Sequence, residues 1–320
     1  MFLMNYLQNK GDLHMAQNEA PIILDETEQK IINIIDAHRD QIIDFAKDIY
    51  THAELGYKEF RTAEKFANFM KDLGLPTKEH LAVTGVKAYL NEEKKDNVSL
   101  ALIGELDALR IPEHKYANPE TQGAHCCGHH AQLAGVIGAA IALTNPEVKE
   151  KLDGQVVLFA VPAEEYGEIE FKNKLTDEGK IKYGGGKCEL IRIGAFDDID
   201  LDIVHHIGDK DISGGSTDVG DVQHLQPVLT FNTGGKVSGL HSVDFDIVDD
   251  ELAYVVTAKI FALSAYRLLK NGAEKAKEVV ENYHPIFTKD AYIQYMNSFI
   301  SVEGGSPTEI NAPRGCAVIL

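Results

Sequence analysis

The chain has 320 residues, 44% of them apolar and 25% charged, a balance that excludes a largely disordered or fibrous protein. Its formal charge of −19 repels phosphate backbones and anionic lipid, which argues against nucleic-acid and membrane partners. The length suits one large α/β domain or two modest ones. No unbroken apolar run reaches the roughly 18 residues of a membrane span, and the N-terminal MFLMNYLQNKGDLHM turns polar before a signal-peptide core forms. Four cysteines, with Cys126 and Cys127 adjacent, make no disulfide framework. The expectation is a soluble cytoplasmic protein.

Residues 1–24 lack periodicity and read as a loose leader. From Asp25 the pattern is helical: Ile31, Ile32, Ile35, Ile42, Ile43, Phe45 and Ala46 recur at steps of three, four and seven. Asp25 and Glu28 have the spacing of a capping pair. A second amphipathic helix is predicted over about Phe60–Leu73, stopped by Gly74 and Pro76. The period then changes. Val98–Ile103 and Gln155–Val161 are short, nearly unbroken apolar runs, as expected of strands buried on both faces. Between them the small and apolar residues of Ala131–Leu143 suit a helix packed on a sheet. Ile199–His206 and Val228–Phe231 are further strands, followed by a long helix over about Asp250–Leu269 and a charged one around Ala273–Asn282. Strands alternating with helices predict a single layered α/β domain over residues 25–300, with a central, largely parallel mixed sheet flanked by helices. A tail, 301–320, closes the chain.

Metal-competent residues collect where the apolar runs end, and the carboxyl ends of strands are where α/β domains build sites. Glu105 and Asp107 follow the first run in GELDAL, and His125, Cys126, Cys127, His129 and His130 lie in AHCCGHH. Glu164 and Glu165 close the second run, His205 and His206 the third, and His241 follows a glycine-containing turn in SGLHS. Taken singly, each has a plainer explanation: a solvated helix start for Glu-Glu, small core residues for Cys-Cys, a wet rim for His-His. Carboxylates at the mouth of a buried strand need a partner, however, and a cation supplies one. Thiolate and imidazole at the Cys127-Gly128-His129 spacing both coordinate zinc-like ions. Cys127, His129, Glu165, His206 and His241 thus offer sulfur, nitrogen and oxygen donors for two divalent ions. Glu164, beside a ligand yet separate from it, is the natural general base.

In their order, GELDAL, AHCCGHHAQLAG, VPAEE, FDDIDLDIVHH, GSTDVGDV and SGLHS resemble the amidohydrolase branch of the aminoacylase-type two-metal peptidases. Auxin-conjugate, aminobenzoyl-glutamate and N-acyl-diaminopimelate hydrolases belong to it. THAELGYKEFRTAE resembles that branch's entry segment, with Ala53 where proline is common, and the likeness covers about residues 28–300. It implies a zinc-peptidase-like fold and metal-dependent hydrolysis of amide bonds in N-acyl amino acids or small dipeptides, with zinc or manganese as the ions. It also implies Cys127, His129, Glu165, His206 and His241 as ligands and Glu164 as base. His206 takes precedence over His205 because the family's ligand falls six residues after the aspartate matching Asp200. Asp107 would orient an imidazole or stand behind the ligands.

Two departures stand out. His130 occupies a position where the family usually has aspartate, and it offers a nitrogen in exchange. Family members also carry a lid domain between the ligand-histidine strand and the segment matching GSTDVGDV, and here the six residues Ile207–Ile212 join the two. Such a loop is too short for a domain. The expectation is a catalytic core with no lid between residues 206 and 213, an open site and no lid-mediated dimer. The alternative is a weak or inactive metal-binding relative. A thiol hydrolase built on Cys127 and a nearby histidine explains neither Glu164-Glu165 nor His241. GGGK at Gly184–Lys187 lacks phosphate-loop spacing and reads as a turn. Cys316 sits one place too far from the end for a prenylation box, and Glu92–Asp96 reads as a solvated loop.

Overall fold

The computed structural model describes residues 23–208 and 217–300. Most of the leader, the tail and Asp209–Ile212 of the short connector lie outside the described residues. Asp25 caps α1 (Glu26–Ala37) with a full capping box: its Oδ1 accepts from Glu28 N at 2.8 Å, and Glu28 Oε2 accepts from Asp25 N at 2.9 Å. The helical run does not continue through to Ala46. It breaks at His38 (φ −104°, ψ 15°), whose Nδ1 lies 2.8 Å from the Ile34 carbonyl oxygen, and α2 (Arg39–Thr51) starts afresh. A side chain that bonds a last-turn carbonyl ends a helix without a glycine or proline to announce it.

After α3 (Phe60–Asp72) comes a hairpin that the sequence patterning does not reveal, β1 (Thr77–Leu81) and β2 (Gly85–Leu90). β1 carries Lys78, Glu79 and His80 and is half-exposed, while β2 buries Lys87, whose ammonium reaches the Ala195 carbonyl at 2.8 Å and the Asp198 carboxylate. The rest follows in order: β3 (Ser99–Glu105), β4 (Leu109–Arg110), β5 (Gly123–Ala124), α4 (His129–Leu143), α5 (Pro146–Lys149), β6 (Gln155–Val161), α6 (Ile169–Asp177), α7 (Gly186–Arg192) and β7 (Leu201–Ile207). Beyond the undescribed stretch lie α8 (Val219–Gln223), β8 (Val228–Thr233), β9 (Lys236–Val237), β10 (Asp246–Ile247), a π-turn at Glu251–Val255, α9 (Val256–Leu269), α10 (Glu274–Asn282) and α11 (Lys289–Asn297).

The six-stranded sheet has the order β1-β2-β6-β3-β7-β8. Its inner strands β6, β3, β7 and the edge strand β8 are parallel, and the β1–β2 hairpin joins antiparallel to β6. Alternate residues feed two cores. Leu100, Leu102, Val156, Leu158 and Ile203 pack beneath α1–α4 and α9, and Ala101, Ile103, Val157, Phe159 and Val204 pack beneath the opposite layer. Every residue of α4 is buried, which explains its lack of a polar face. The stretch Glu251–Leu269 is long and apolar enough to cross a bilayer, but it is mostly buried and packs closely along α4. A Cβ on Gly138 would come within 2.6 Å of Ala258 Cβ. β3 and β6 end in register, Glu105 opposite Val161, so the residues that follow both strands open onto one rim.

Candidate metal centre

The rim gathers side chains from five separate segments. Glu105 ends β3, and Asp107 follows two residues later. Gly128, at φ +89°, turns the chain sharply so that Cys127 and His129 flank it and His129 opens α4. A Cβ there would lie 2.2 Å from Ile207 Cγ2, so glycine is required by space as well as by conformation. Glu164 and Glu165 follow β6 after Ala163. His206 comes from β7.

Strand alternation separates the paired histidines. His206 Nε2 stands 3.9 Å from Glu105 Oε2. His205 turns into the core, with Nε2 2.7 Å from Thr233 Oγ1 and its ring packed on Phe231. His130 also turns inward. It is fully buried, stacks on Tyr50 at 4.5 Å between ring centroids, and its Nε2 lies 3.3 Å from Tyr254 Oη. It is not among the converging donors, so the nitrogen offered in place of the usual aspartate points elsewhere.

Donor atoms converge in two groups. In the first, one donor atom each from Cys127, Glu165 and His241 lie within 4.8 Å of one another. His241 Nε2 is 3.2 Å from Glu165 Oε1, and the backbone N of His241 donates to the Cys126 carbonyl at 2.9 Å. Proximity to Cys127 and to the Glu165 carboxylate pushes the His241 imidazole up to about 10. In the second group, Glu105, His129 and Glu164 converge equally closely. His129 Nε2 lies 3.0 Å from Glu105 Oε2 and 3.8 Å from Glu164 Oε2. Burial opposes a charge on His129, yet Glu105 and Cys127 outweigh it and hold the imidazole well above its usual range. Burial and then the Glu105 charge push Glu164 up to about 8. A cation acts in the opposite direction on a carboxyl group.

Asp107 ties the two groups together. Its backbone oxygen is 2.8 Å from His129 Nδ1, and its Oδ1 is 3.3 Å from the same nitrogen. Its Oδ2 accepts from Glu165 N at 2.9 Å. With Nδ1 engaged, Nε2 is the nitrogen that faces the other donors.

The arrangement fits divalent ions. His129 Nε2 and Glu165 Oε1 are buried without a hydrogen-bond partner, although each faces a charged atom 3.0–3.2 Å away. Orphaned donors are what a ligand set looks like before its ion is counted. Sulfur, nitrogen and oxygen donors together suit zinc-like ions. Cys127, Glu165 and His241 would hold one ion and His129 would help to hold a second, while His206 belongs to neither group of three and stands 3.9 Å from Glu105 Oε2.

Sequence patterning missed two partners of this rim. Gly184–Lys187 is no mere turn: Gly186 starts α7, and Lys187 is fully buried. Its Nζ lies 2.5 Å from both Glu105 Oε1 and Asp218 Oδ1. A lysine after a glycine run reads as solvent-facing, and nothing local marks it otherwise. Asp218 lies in GSTDVGDV, where it carries no metal-ligand spacing.

A family model described as peptidase family M20/M25/M40 matches residues 101–314. The chain is similar to thermostable carboxypeptidase 1 of Saccharolobus solfataricus, 25% identical over 189 residues, which are 58% of this chain and 44% of that one. It is also similar to IAA-amino acid hydrolase ILR1-like 5 of Arabidopsis thaliana, 35% identical over 133 residues, which are 40% of this chain and 29% of that one. The chain thus spans less than half the length of these curated relatives. A solved Bacillus subtilis protein, YXEP, described as a dinuclear metal binding peptidase, superposes with a TM-score of 0.59 at 15% identity, over 73% of this chain and 98% of that one. At that identity the likeness is one of fold.

Proposed function

Because the chain belongs to peptidase family M20/M25/M40, we propose that it hydrolyses amide bonds in N-acyl amino acids or small dipeptides at a two-metal rim, with Glu164 as the general base. The observation that carries this is the convergence of Cys127, Glu165 and His241 beside Glu105, His129 and Glu164. When bound, divalent ions supply carbonyl polarisation and a lowered pKa for water. The chain's own groups supply the rest. Asp107 fixes the His129 tautomer and the Glu165 backbone. Glu164 takes the proton of the attacking water and returns one to the leaving amine. Its carboxyl is buried and close to the donors without being tied to a backbone amide, which suits a group that must exchange protons.

The test is Glu164→Gln. Hydrolysis of N-acyl amino acids and dipeptides should vanish while bound metal stays nearly unchanged. Metal loss as large as in Glu165→Gln would show that the two carboxylates have exchanged roles. A second reading rests on the six residues Ile207–Ile212. Without an inserted lid, water exclusion and substrate positioning are reduced, and the chain would bind metal but turn over slowly. An unmodified, metal-loaded chain with no measurable hydrolysis favours that reading.

A further inference from the structure

We propose that Glu105 is itself a ligand, completing the second ion's set with His129 and His206 and held in place by the buried ammonium of Lys187. This rests on the two-metal reading above, and it concerns how this chain builds one half of that site.

Glu105 is gripped on three sides. Its backbone N donates to Gln132 Oε1 at 2.8 Å, and Gln132 Nε2 donates back to Glu105 Oε2 at 2.8 Å. Lys187 Nζ lies 2.5 Å from Oε1. A carboxylate has about four lone-pair positions, and these contacts leave one side of Oε2 turned toward the two histidines. His129 Nε2 is 3.0 Å away, and His206 Nε2 is 3.9 Å away. The close approach of His129 is not a hydrogen bond, and Nε2 is left buried without a partner. Two imidazole nitrogens thus flank one carboxylate oxygen, at 3.0 and 3.9 Å.

Charge argues the same way. Lys187 is shared between the fully buried Glu105 and the partly exposed Asp218. Asp107, also fully buried, and Glu164, with its side chain 6% exposed, add further carboxyl groups beside them. Acids drawn this close together away from water suit a divalent cation. Lys187 is then a fixed strut. It occupies Oε1, prevents Glu105 from wrapping both oxygens around one ion, and presents Oε2 alone. Of the two carboxylates facing His129 Nε2, Glu105 is the closer and the more tightly held, which leaves Glu164 free for proton transfer.

The experiment counts ions, so it does not depend on turnover. The unmodified chain and Glu105→Gln are loaded with Zn²⁺, dialysed and assayed for metal, with circular dichroism as the check on folding. The unmodified chain should hold two ions. Glu105→Gln should keep one at full affinity and bind the second at least about tenfold more weakly. Cobalt substitution reports the first site separately through its thiolate charge-transfer absorption, which should persist. Two ions retained with unchanged affinity, or equal loss of both from a folded variant, would overturn the proposal. If the variant does not fold, a zinc-loaded crystal structure of the unmodified chain decides. Zinc within about 2.2 Å of Glu105 Oε2 is expected, and zinc placed with Glu105 outside that range rules the ligand out. Absence of hydrolysis in a two-ion chain would count against the catalytic reading and leave this one standing.

Discussion

Glu59 reaches from the start of α3 to the backbone of Ala163: its Oε1 accepts from Ala163 N at 2.9 Å, while its Oε2 accepts from Thr84 Oγ1 at 2.7 Å. Ala163 sits at φ +49°, a left-handed conformation that costs a non-glycine residue roughly 1–2 kcal/mol. The next two residues are Glu164 and Glu165. A buried carboxyl group thus holds the strained turn that aims both glutamates.

Burial, and then the Asp107 charge, push Glu59 up to about 8. The folded chain therefore retains a proton that the unfolded chain releases near 4.5, the ordinary carboxyl value, and stability should fall as pH rises between these values. Glu59→Gln keeps an acceptor for Ala163 and cannot ionise. Urea midpoints in chelating buffer at pH 5, 7 and 9 should fall less for the variant than for the unmodified chain. Parallel curves would show that Glu59 is charged throughout.

Asp107→Asn leaves one oxygen to accept from Glu165 N but removes the charge beside His129 Nδ1. Substituting such a supporting group typically weakens metal binding about 10–100-fold. Competition with a chromophoric chelator should show that loss in a folded protein. An unchanged affinity would mean that the Asp107 backbone oxygen alone orients His129.

Gly128→Ala places a methyl group 2.2 Å from Ile207 Cγ2 at φ +89°. Overpacking of this kind costs about 1–3 kcal/mol. The cost falls between Cys127 and His129, so metal affinity should drop along with the urea midpoint. Equilibrium unfolding with and without Zn²⁺ separates the two effects, and a fully native midpoint in both conditions would contradict the geometry.

The short Ile207–Ile212 link leads to the expectation of a monomer with an open site. Closed pockets bury about 70–90% of a small ligand, and an uncovered rim buries less. Light scattering on the metal-loaded chain should give a mass near 35 kDa, and kinetics across acyl amino acids should show weak discrimination. A tight dimer selective for one substrate would mean that another surface does the lid's work.

The central strands were legible because both their faces are buried. Gln155–Val161 is a continuous apolar run, and it is the strand itself. The β1–β2 hairpin was hidden for the opposite reason: an edge strand that exposes Lys78 and His80 and a neighbour that buries Lys87 break the apolar pattern. The break at His38 depends on a ring-to-carbonyl bond that leaves no compositional mark. At the rim, residues of metal-ligand type could be named because Cys, His and paired Glu are informative where they stand. Glu105 stood in plain view without a role, since its meaning depends on Lys187, which lies 82 positions away. A buried lysine is made by tertiary packing, and the local sequence does not record it.

The donors of the rim run from Glu105 to His241, across β3, α4, β6, β7 and the segment after β8. An ion held by Cys127, Glu165 and His241 would close a loop through about a third of the chain, so it would act as a removable cross-link. Its binding energy is shared with folding, and every element it ties down gains protection from local opening. The segment that carries His241 is docked beside Cys126 by a single backbone bond and gains most from that tether. Removing the ion would therefore register first as protease sensitivity around His241, well before the sheet itself loosens.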